Sequence, residues 1–371
     1  MTRVFNDNIN FIDLFAGMGG FHIALTKYNA NCVFVSEIDK YARETYIHNH
    51  IQNIENTDIL YGDITKIPEE DIPQHDILCA GFPCQPFSIS GNQLGFDDAR
   101  GTMFFEIIRI INLHQPSIVF LENVSNLRGH ANGNTLETMS QMLEQSGYKV
   151  FYEILNASDF GVPQARKRIY FVAFHNRLNV RTFEFPRGIR EETHLADILE
   201  DESLVDESYH INRNDIVFKT EEEITKLEST VKNQPIRIGT INRGGQGDRI
   251  YSIKGHAITL SAQGGGSGSR TGAYLVNGHV RKLTPRECLR VQGYPEEFEF
   301  PNSITKSQVY KQLGNTVAIP VLEGILRKIC SLEELRDMTI DSNTDRRDTI
   351  VYENNTNEIN TFEQIAFDLM R

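Results

Sequence analysis

The sequence has little that would suit a membrane protein or a secreted, disulfide-linked fold. None of its apolar runs approaches the roughly 18–20 residues needed to span a bilayer. The first residues, 1–7, lack the apolar core of a signal peptide. With 371 residues, of which 40% are hydrophobic, the chain is long enough for two domains and a large buried core. We expect a cytoplasmic, globular protein.

The cysteines are too few and too scattered to form a structural framework. There are five of them, an odd number, and no two are spaced Cys-x-x-Cys or grouped with histidine at zinc-binding intervals. This pattern argues against disulfides and against a bound metal. Four of the five are expected to pack as small apolar side chains.

The chain also lacks an overall positive charge. Its 50 acidic residues outnumber 37 basic ones and give a formal net charge of −13, which taken alone argues against a nucleic-acid partner. The charge is uneven, however: residues 231–290 carry ten Lys or Arg against two acids, a balance of +8, whereas residues 331–371 carry ten acids against four Arg, a balance of −6. One internal segment is therefore basic enough to face phosphates.

Short apolar runs alternate with helical stretches over residues 1–175. Such alternation is typical of a doubly wound, mostly parallel α/β sheet. The predicted strands are Asn10–Leu14, Cys32–Glu37, Asp76–Cys79, Ser117–Leu121, Val150–Leu155 and Arg168–Phe174, and the predicted helices include Gly101–Leu113 and Asn134–Gln145.

The rest of the chain has a different pattern, because residues 186–235 are charged and polar and residues 236–283 are rich in Gly, Thr and short β-prone pieces. We predict a first domain at 1–185, a smaller, mainly β domain with a hinge at 186–304, a return to the first domain at 305–330 and an acidic extension at 331–371. The β-prone pieces are Arg237–Ile241, Arg249–Ile253, Ala257–Leu260 and Ala273–Val276, the returning helices are Ser307–Leu313 and Pro320–Ile329, and the extension holds a polar, mobile stretch, Asp337–Asn360, and a short helix, Thr361–Met370.

Residues 10–21 are predicted to form a strand, a glycine turn and the start of a helix. Glycines let a ligand approach the backbone closely, and a helix N-terminus favours negative groups. Glu37 ends the next strand about 20 residues on, where an acid can bind ribose hydroxyls. Asp63, at a third strand end, can contact an adenine or an amine. The three features together predict a nucleotide site; for the turn alone, tight strand–helix packing is the alternative.

A thiol and a carboxyl group follow two apolar runs. Cys84 lies between two prolines just after the run 76–80, and Glu122 directly follows the run 117–121. Parallel sheets gather their chemistry at strand carboxyl ends, and a thiol for covalent attack and a carboxyl for proton transfer are two parts of one mechanism. The alternatives are an inert buried cysteine and a helix-capping glutamate.

Arg166 and Arg168 are spaced to lie on one face of a strand. If that face points at the site, the two guanidinium groups can hold a carbonyl oxygen and a phosphate. A basic strand on the surface is the alternative.

Six motifs make the chain resemble the DNA (cytosine-5) methyltransferases of bacterial restriction–modification systems. They occur in the family's order over residues 10–330: Asp-Leu-Phe-Ala-Gly-x-Gly-Gly at 13–20, Pro-Cys-Gln at 83–85, Glu-Asn-Val at 122–124, Gln-x-Arg-x-Arg at 164–168, Arg-Lys-Leu-Thr-Pro-Arg-Glu at 281–287 and Gln-Leu-Gly-Asn-Thr-Val at 312–317. The resemblance implies a Rossmann-like, S-adenosylmethionine-dependent methyltransferase domain and a mainly β target-recognition domain.

The resemblance also implies a methyl donor and a mechanism. Cys84 would attack C6 of cytosine, Glu122 would stabilise the intermediate through the ring N3, and Arg168, with Arg166 in the same site, would hold the base O2. The base that removes the C5 proton stays open, with water as one candidate. The residues implied to line the S-adenosylmethionine pocket are Phe15, Ala16, Gly17, Gly19, Gly20, Glu37, Ile38, Asp63, Ile64, Pro83 and Asn315.

The target carbon lies inside a duplex, so the cytosine must be flipped out. Glycine-rich stretches at 243–251 and 257–266 resemble the family's recognition loops, in which Gln246 would contact the orphan guanine, Arg249 a neighbouring base and Thr259 a phosphate; for residues 264–268 a flexible linker is the alternative. The residues implied to contact DNA are Ser90, Arg243, Gln246, Arg249, Thr259, Gly265 and Gly266.

The exact target stays open, because Gln263 stands where a near relative has an aromatic residue and residues 267–270 also differ. Both a contiguous GCGC-like site and a spaced GCNGC-like site fit. The resemblance implies duplex DNA as partner, and the sequence itself indicates no membrane and no metal. A monomer is the default expectation. Whether a cognate restriction endonuclease acts on the same site, without a stable complex, stays open.

Three other readings compete. A tRNA cytosine-5 methyltransferase shares the Pro-Cys-Gln chemistry. The 110 residues between Tyr170 and Arg281, with their glycine-rich segment, instead favour an enzyme that recognises a sequence in duplex DNA. An inactive DNA-binding relative would be expected to lack the thiol or the carboxylate. The loop chemistry argues against an NAD-dependent oxidoreductase, which the fold alone would allow.

Overall fold

The computed structural model describes residues 3–51, 59–83, 103–189 and 191–341, with the backbone alone at Gln246 and Asp341. The predicted helix 361–370 and most of the predicted mobile stretch lie outside these residues.

The described strands, in chain order, are β1 (Arg3–Phe5), β2 (Asn10–Leu14), β3 (Asn31–Ser36), β4 (Leu60–Tyr61), β5 (Ile77–Gly81), β6 (Ile118–Val124), β7 (Tyr148–Asn156), β8 (Lys167–His175), β9 (Ile216–Phe218), β10 (Ile236–Ile241), β11 (Arg249–Ser252), β12 (Ala273–Val276), β13 (His279–Arg281) and β14 (Thr339–Asp341). The described α-helices are α1 (Gly20–Lys27), α2 (Lys40–Tyr46), α3 (Met103–His114), α4 (Asn134–Gln145), α5 (Glu221–Thr230), α6 (Pro285–Arg290), α7 (Lys306–Asn315) and α8 (Ile319–Cys330).

The main sheet has seven strands in the order β4-β3-β2-β5-β6-β8-β7. Neighbours from β4 to β6 run parallel, and β8 is antiparallel to both β6 and β7. The chain moves outward from β2 to β4 and then returns to β5 on the other side of β2, so the strand order reverses between β2 and β5. The predicted α/β class, a doubly wound and mostly parallel sheet, is confirmed. All six predicted strands are present, with ends shifted by at most three residues.

Alternate residues of the central strands pack on opposite faces of the sheet. Phe11 and Cys79 belong to the core under α1 and α8, whereas Ile12 and Leu78 belong to the core under α3 and α4. Both faces are covered, which explains why β2 and β5 read as nearly continuous apolar runs. No helix among the described residues is long and apolar enough to cross a membrane.

A second, five-stranded sheet has the order β13-β12-β11-β10-β9. Its core joins isoleucines of β10 and β11 to Ile224 and Leu227 of α5. The sequence predicted no clear alternation of strands and helices at 186–235, whereas the structure has helix α5 in this range. Its first turn holds three glutamates, which favour a helix N-terminus, and Thr220 and Glu223 form a reciprocal capping box.

Two other predictions were wrong in detail. The predicted β-prone piece Ala257–Leu260 forms no strand, and only an isolated parallel bridge joins Ala257 to Gln164. The polar, mobile stretch was predicted to begin at Asp337, but β14 pairs with β1 in antiparallel register, with Ile340 opposite Val4. This pairing holds residues 339–341 against the start of the chain.

A buried ion pair connects the small sheet to α6. The guanidinium group of Arg281, at the end of β13, donates two hydrogen bonds of 2.9 and 2.8 Å to the carboxylate of Glu287, and both side chains are fully buried. Glu202 lies 3.0 Å from Nε of the same arginine, and the Thr284 N–H donates to Glu287 at 2.8 Å. A bidentate, fully hydrogen-bonded pair is the form in which buried charges are tolerated.

Glu287→Gln should lower the free energy of unfolding by about 3 kcal/mol, because it leaves the buried Arg281 charge without its bidentate carboxylate. Urea denaturation measures the change. Asp215→Asn is the matched control, since Asp215 pairs with Arg213 on the surface and should unfold like the unaltered protein. Equal midpoints for the two variants would contradict this account.

Candidate active site

The site lies at the carboxyl ends of β5 and β6, next to the point where the strand order reverses. Gly81 of β5 stands opposite Glu122 of β6 in parallel register. Phe82 and Pro83 follow β5; Phe82 is buried and Pro83 is exposed. Cys84 and Ser90 lie outside the described residues, so their predicted roles stay predictions.

The Glu122 carboxyl group is buried and faces two arginines. Its Oε1 lies 3.0 Å from Nε of Arg168. Burial raises the pKa of Glu122, and the charges of Arg168 and then Arg166 oppose that rise. A carboxyl group in this environment can hold a proton and return it, which is what a proton-transfer residue needs.

Asn123 fixes the segment that leaves β5. Its Nδ2 donates to the Phe82 carbonyl oxygen at 3.0 Å, and its Oδ1 accepts from the Val124 N–H at 2.8 Å. The side chain therefore ties the end of β6 to the residue before Pro83. Sequence reasoning used Asn123 only as part of the Glu-Asn-Val motif, and nothing in its spacing indicated this contact.

Arg166 holds three chain segments together. Its guanidinium group donates to the carbonyl oxygens of Leu260 at 3.4 Å, Gly314 at 3.5 Å and Thr316. Burial lowers the pKa of this arginine to about 10. These are the contacts of a positioning residue, and the predicted catalytic role of Arg166 stays a prediction.

The segment 257–260 lies against the main sheet instead of extending the small one. The Ala257 N–H donates to the Pro163 carbonyl oxygen at 2.7 Å, and the Ala165 N–H donates to the Ala257 carbonyl oxygen at 2.9 Å. The hydroxyl of Thr259 donates to the Ala165 carbonyl oxygen. These hydrogen bonds replace the strand pairing that the sequence predicted, and they bring Thr259 beside the active-site strands.

A cavity of about 390 Å³ opens beside Arg168. Its volume is in the range of small-ligand sites, and it combines residues that follow β6, residues at the facing ends of β7 and β8, and one residue of the segment 257–260. The lining residues are Val124, Ser125, Asn126, Asn156, Ala165, Lys167, Arg168 and Thr259.

The glycine turn after β2 has the backbone that its sequence predicts. Gly17 and Gly19 have φ angles of 57° and 84°, a region that glycine enters without strain. Phe15, which is not a glycine, also has a positive φ of 56°. Apart from the adjoining residues 16 and 18, no described residue has an atom within 4 Å of where a Gly17 side chain would begin, whereas a Cβ at Gly20 would lie 2.4 Å from Val317. The turn is therefore open on one side and closely packed on the other.

Glu37 and its neighbours line the open side. The Glu37 carboxylate accepts from the N–H groups of Gly17 and Asp39, each at 2.7 Å. Burial raises the pKa of Glu37, and these hydrogen bonds oppose the rise. Ile38 is 68% exposed, which is unusual for a large apolar side chain and leaves a flat apolar surface beside the acid.

The remaining predicted cofactor residues are distributed around this turn. The carboxylate of Asp63 caps the turn 64–66 and accepts from the Thr65 hydroxyl at 2.8 Å. Ile64 is buried in the core. Asn315 is exposed at the end of α7, and Lys311 of α7 lies 2.5 Å from Asp39. The predicted roles of these positions stay predictions.

His50 packs against the glycine turn and His22 stacks on His50; neither residue was identified from the sequence. Nε2 of His50 lies 3.0 Å from the Met18 carbonyl oxygen, which only accepts, so Nε2 carries the proton. A Cβ at Gly19 would lie 2.2 Å from the same atom. The His50 ring stacks on His22, whose Nδ1 lies 2.5 Å from the Tyr46 hydroxyl. Burial lowers the pKa of both histidines, to about 4 for His50.

Four of the predicted DNA-contacting residues lie in two neighbouring loops beside the five-stranded sheet, at 242–248 and 263–269, whereas Thr259 lies against the main sheet. Arg243, Gly265 and Gly266 are exposed, and Arg249 begins β11. The side chain of Gln246 lies outside the described residues. Within the described ranges no group of three or more His, Cys, Asp or Glu side chains could hold a metal ion.

Comparisons with known proteins agree with this geometry. The family model for C-5 cytosine-specific DNA methylase matches residues 9–331. The chain is 49% identical over 323 residues to the Type II methyltransferase M.HhaI of Haemophilus parahaemolyticus, covering 87% of this chain and 94% of that protein. It is 42% identical over 327 residues to the Type II methyltransferase M.NgoBI of Neisseria gonorrhoeae, covering 86% and 92%. The structure of the S. pombe Dnmt2 methyltransferase matches with a TM-score of 0.65 at 21% identity, covering 86% of this chain and 98% of that one, which shows a shared fold.

The free energy of unfolding should rise with pH between about 4 and 6.5, in part because His50 is neutral in the folded protein and protonated in the unfolded chain over that window. His50→Gln keeps a donor for the Met18 carbonyl oxygen and removes the titration. Its urea midpoint should therefore change less with pH than that of the unaltered protein. Identical pH dependence of the two midpoints would show that His50 has the same pKa in the folded and unfolded chain.

Proposed function

Because the chain belongs to the C-5 cytosine-specific DNA methylase family and is a DNA (cytosine-5) methyltransferase of type II, we propose that it moves a methyl group from S-adenosylmethionine to C5 of a flipped cytosine in a short GC-containing duplex site. It would act as the modification enzyme of a restriction–modification system. One observation carries the proposal: the register of β5 and β6 sets the carboxyl group of Glu122 beside the segment that continues to Cys84.

The residues around the glycine turn fit the proposed methyl donor. S-adenosylmethionine would supply a methyl group on a positively charged sulfur. Glu37 can accept from ribose hydroxyls, and Ile38 offers an exposed apolar surface to an adenine ring. Asp63 can accept from the adenine amine, and Gly17 leaves open space for the rest of the molecule. An acid that follows the second strand of a doubly wound sheet is the usual partner of a ribose.

The proposed reaction uses the thiol and the carboxyl group in sequence. Attack by the Cys84 thiolate forms a bond from sulfur to C6 and moves the C5–C6 electron pair into the ring, while Glu122 shares its proton with N3. C5, now nucleophilic, would take the methyl group as the bond from that methyl to the donor sulfur breaks, the neutral thioether would leave, and the N3 proton would return to Glu122. A base then removes the C5 proton, the C5–C6 double bond re-forms, and Cys84 leaves as thiolate. The raised pKa of Glu122 favours the protonated form that the first step needs.

Arg168 would bind the base and hold Glu122 at the same time. Its Nε already lies 3.0 Å from Glu122, and a guanidinium group has further donors for the cytosine O2. It also borders the cavity that Thr259 and Lys167 help to line. That cavity is the proposed pocket for the flipped base and its backbone.

We assign recognition of the target DNA sequence to the two glycine-rich loops. They lie in the segment 231–290, whose balance of +8 suits the phosphates of a duplex. Gln246 would face the orphan guanine and Arg249 a neighbouring base, since Arg binds guanine through O6 and N7. Both GCGC-like and GCNGC-like sites remain compatible with these residues.

Base-resolution mapping of 5-methylcytosine in DNA incubated with the protein and S-adenosylmethionine tests the proposal. Methylation confined to one short GC-rich site is expected. Methylation of tRNA in place of DNA would overturn the assigned substrate, and methylation of neither would overturn the proposed activity.

Cys84→Ser should lower turnover by at least about 10⁴-fold, because removing a covalent nucleophile eliminates the step it supports. Equilibrium binding of S-adenosylmethionine should stay within about threefold. Cys330→Ser is the control, since that thiol is buried at the end of α8. Retained turnover in Cys84→Ser would exclude Cys84 as the nucleophile.

Gln246→Ala should weaken the specific DNA complex by about 10-fold or more, in line with the loss of one base contact. Cofactor affinity should not change, because the glycine turn lies in the other domain. Band-shift titration with cognate and unrelated duplexes measures the affinity for DNA, and calorimetry measures the affinity for S-adenosylmethionine. Equal loss of both affinities would indicate misfolding and not a lost base contact.

A further inference from the structure

The two glycine-rich segments of the small domain are held together by their backbones. We define the hairpin loop as residues 242–248, between β10 and β11, and the glycine loop as residues 263–269, which leads to β12. The Gly268 N–H in the glycine loop donates to the Gly247 carbonyl oxygen in the hairpin loop at 2.7 Å. A flexible linker, the alternative for residues 264–268, would have no such contact.

The contact has no room for side chains. A Cβ at Gly247 would lie 1.7 Å from the Gly265 carbonyl oxygen, so the two backbones meet only because residue 247 is glycine. Gly266 has a φ of 88°, and a Cβ there would lie 2.8 Å from the Gly247 carbonyl carbon. Gly245 differs, because a Cβ there would meet only Asp248 Oδ2, at an ordinary 3.7 Å.

One side chain completes the contact. Oδ1 of Asp248, the last residue of the hairpin loop, accepts from the Ser267 N–H of the glycine loop at 2.9 Å. Asp248 thus turns its charge toward the backbone of the other loop, in a segment that is otherwise basic. It also separates the positions assigned to base contacts, since Gln246 precedes it by two residues and Arg249 follows it directly.

We propose that Asp248 is a specificity-determining positioning residue, which locks the hairpin loop and the glycine loop into one preformed surface for reading duplex DNA. The inference rests on the proposed function, because it takes these loops as the reading surface. Binding surfaces that are fixed beforehand lose less entropy on association and hold their contacts in one geometry. The lock therefore raises discrimination between the correct site and sites that differ by one base pair.

A direct contact from Asp248 to a base is the competing explanation. That explanation predicts no change in the DNA-free protein when Asp248 is replaced. The lock predicts that the two loops separate without DNA, which exposes the bonds after Arg243 and Arg249 to trypsin.

The test compares Asp248→Ala, Asp248→Asn and Gly247→Ala with the unaltered protein. The first readout is the ratio of methylation rates at the mapped site and at sites with one base pair changed. The ratio should fall at least about tenfold in Asp248→Ala and in Gly247→Ala, the scale of one base contact. It should stay within about threefold in Asp248→Asn, whose side-chain oxygen still accepts from the Ser267 N–H.

The second readout is tryptic cleavage of the DNA-free protein after Arg243 and after Arg249. Cleavage should be several-fold faster in Asp248→Ala and Gly247→Ala, and unchanged in Gly245→Ala, the matched control in the same loop. Gly247→Ala leaves the Asp248 side chain in place, so an unaltered ratio in this variant would overturn the lock. Unaltered cleavage in Asp248→Ala would also overturn it.

Failure of the lock and failure of the proposed function give different results. If the unaltered protein methylates no DNA, the proposed function has failed, while the tryptic comparison still tests the lock. If it methylates one site and Asp248→Ala keeps full discrimination, the proposed function stands and the lock has failed. Affinity for S-adenosylmethionine should be the same in all variants, which excludes general misfolding.

Discussion

Strands β5 and β6 run parallel, with Gly81 opposite Glu122, so the segment that continues to Cys84 and the Glu122 carboxyl leave the sheet side by side. Hydrogen bonds of the ladder fix this register, and Asn123 extends it by one more bond to the Phe82 carbonyl oxygen. Chemistry at the ends of parallel strands depends on such rigid placement. The raised pKa of Glu122 follows from the same position, because the strand end is buried there.

Side chains just before β8 bind backbone carbonyl oxygens of three distant segments. The Arg166 guanidinium group donates to the carbonyl oxygens of Leu260, Gly314 and Thr316. The side-chain amide of Gln164 donates to the Val291 carbonyl oxygen at 3.0 Å. Both residues belong to the Gln-x-Arg-x-Arg motif, whose last arginine pairs with Glu122. One short segment therefore connects Glu122 to Leu260, to Val291 and to the end of helix α7.

The sequence predicted those parts of the molecule that periodicity and strand ends determine. Buried parallel strands appear in the sequence as apolar runs, so β2, β5 and β6 were predicted, together with Glu37 after β3 and Glu122 near the carboxyl end of β6. Helix α5 was missed because its three leading glutamates looked like solvated sequence, although its capping box was a usable signal. Contacts between residues far apart in the chain leave no local pattern in the sequence. Asp248 and Ser267, for example, are 19 residues apart, and His50 occurs in no motif. The strand predicted at Ala257–Leu260 failed for the same reason, since its partners lie in the other domain.

The central claim is that Cys84 and Glu122 act on one flipped cytosine. A duplex with 5-fluorocytosine at the mapped site tests it directly, because fluorine on C5 cannot leave as a proton does and the covalent intermediate is trapped after methyl transfer. With S-adenosylmethionine present, the account predicts a denaturation-resistant protein–DNA adduct whose peptide maps to Cys84. An adduct on another residue, or methylated cytosine without any adduct in the fluorinated duplex, would contradict it.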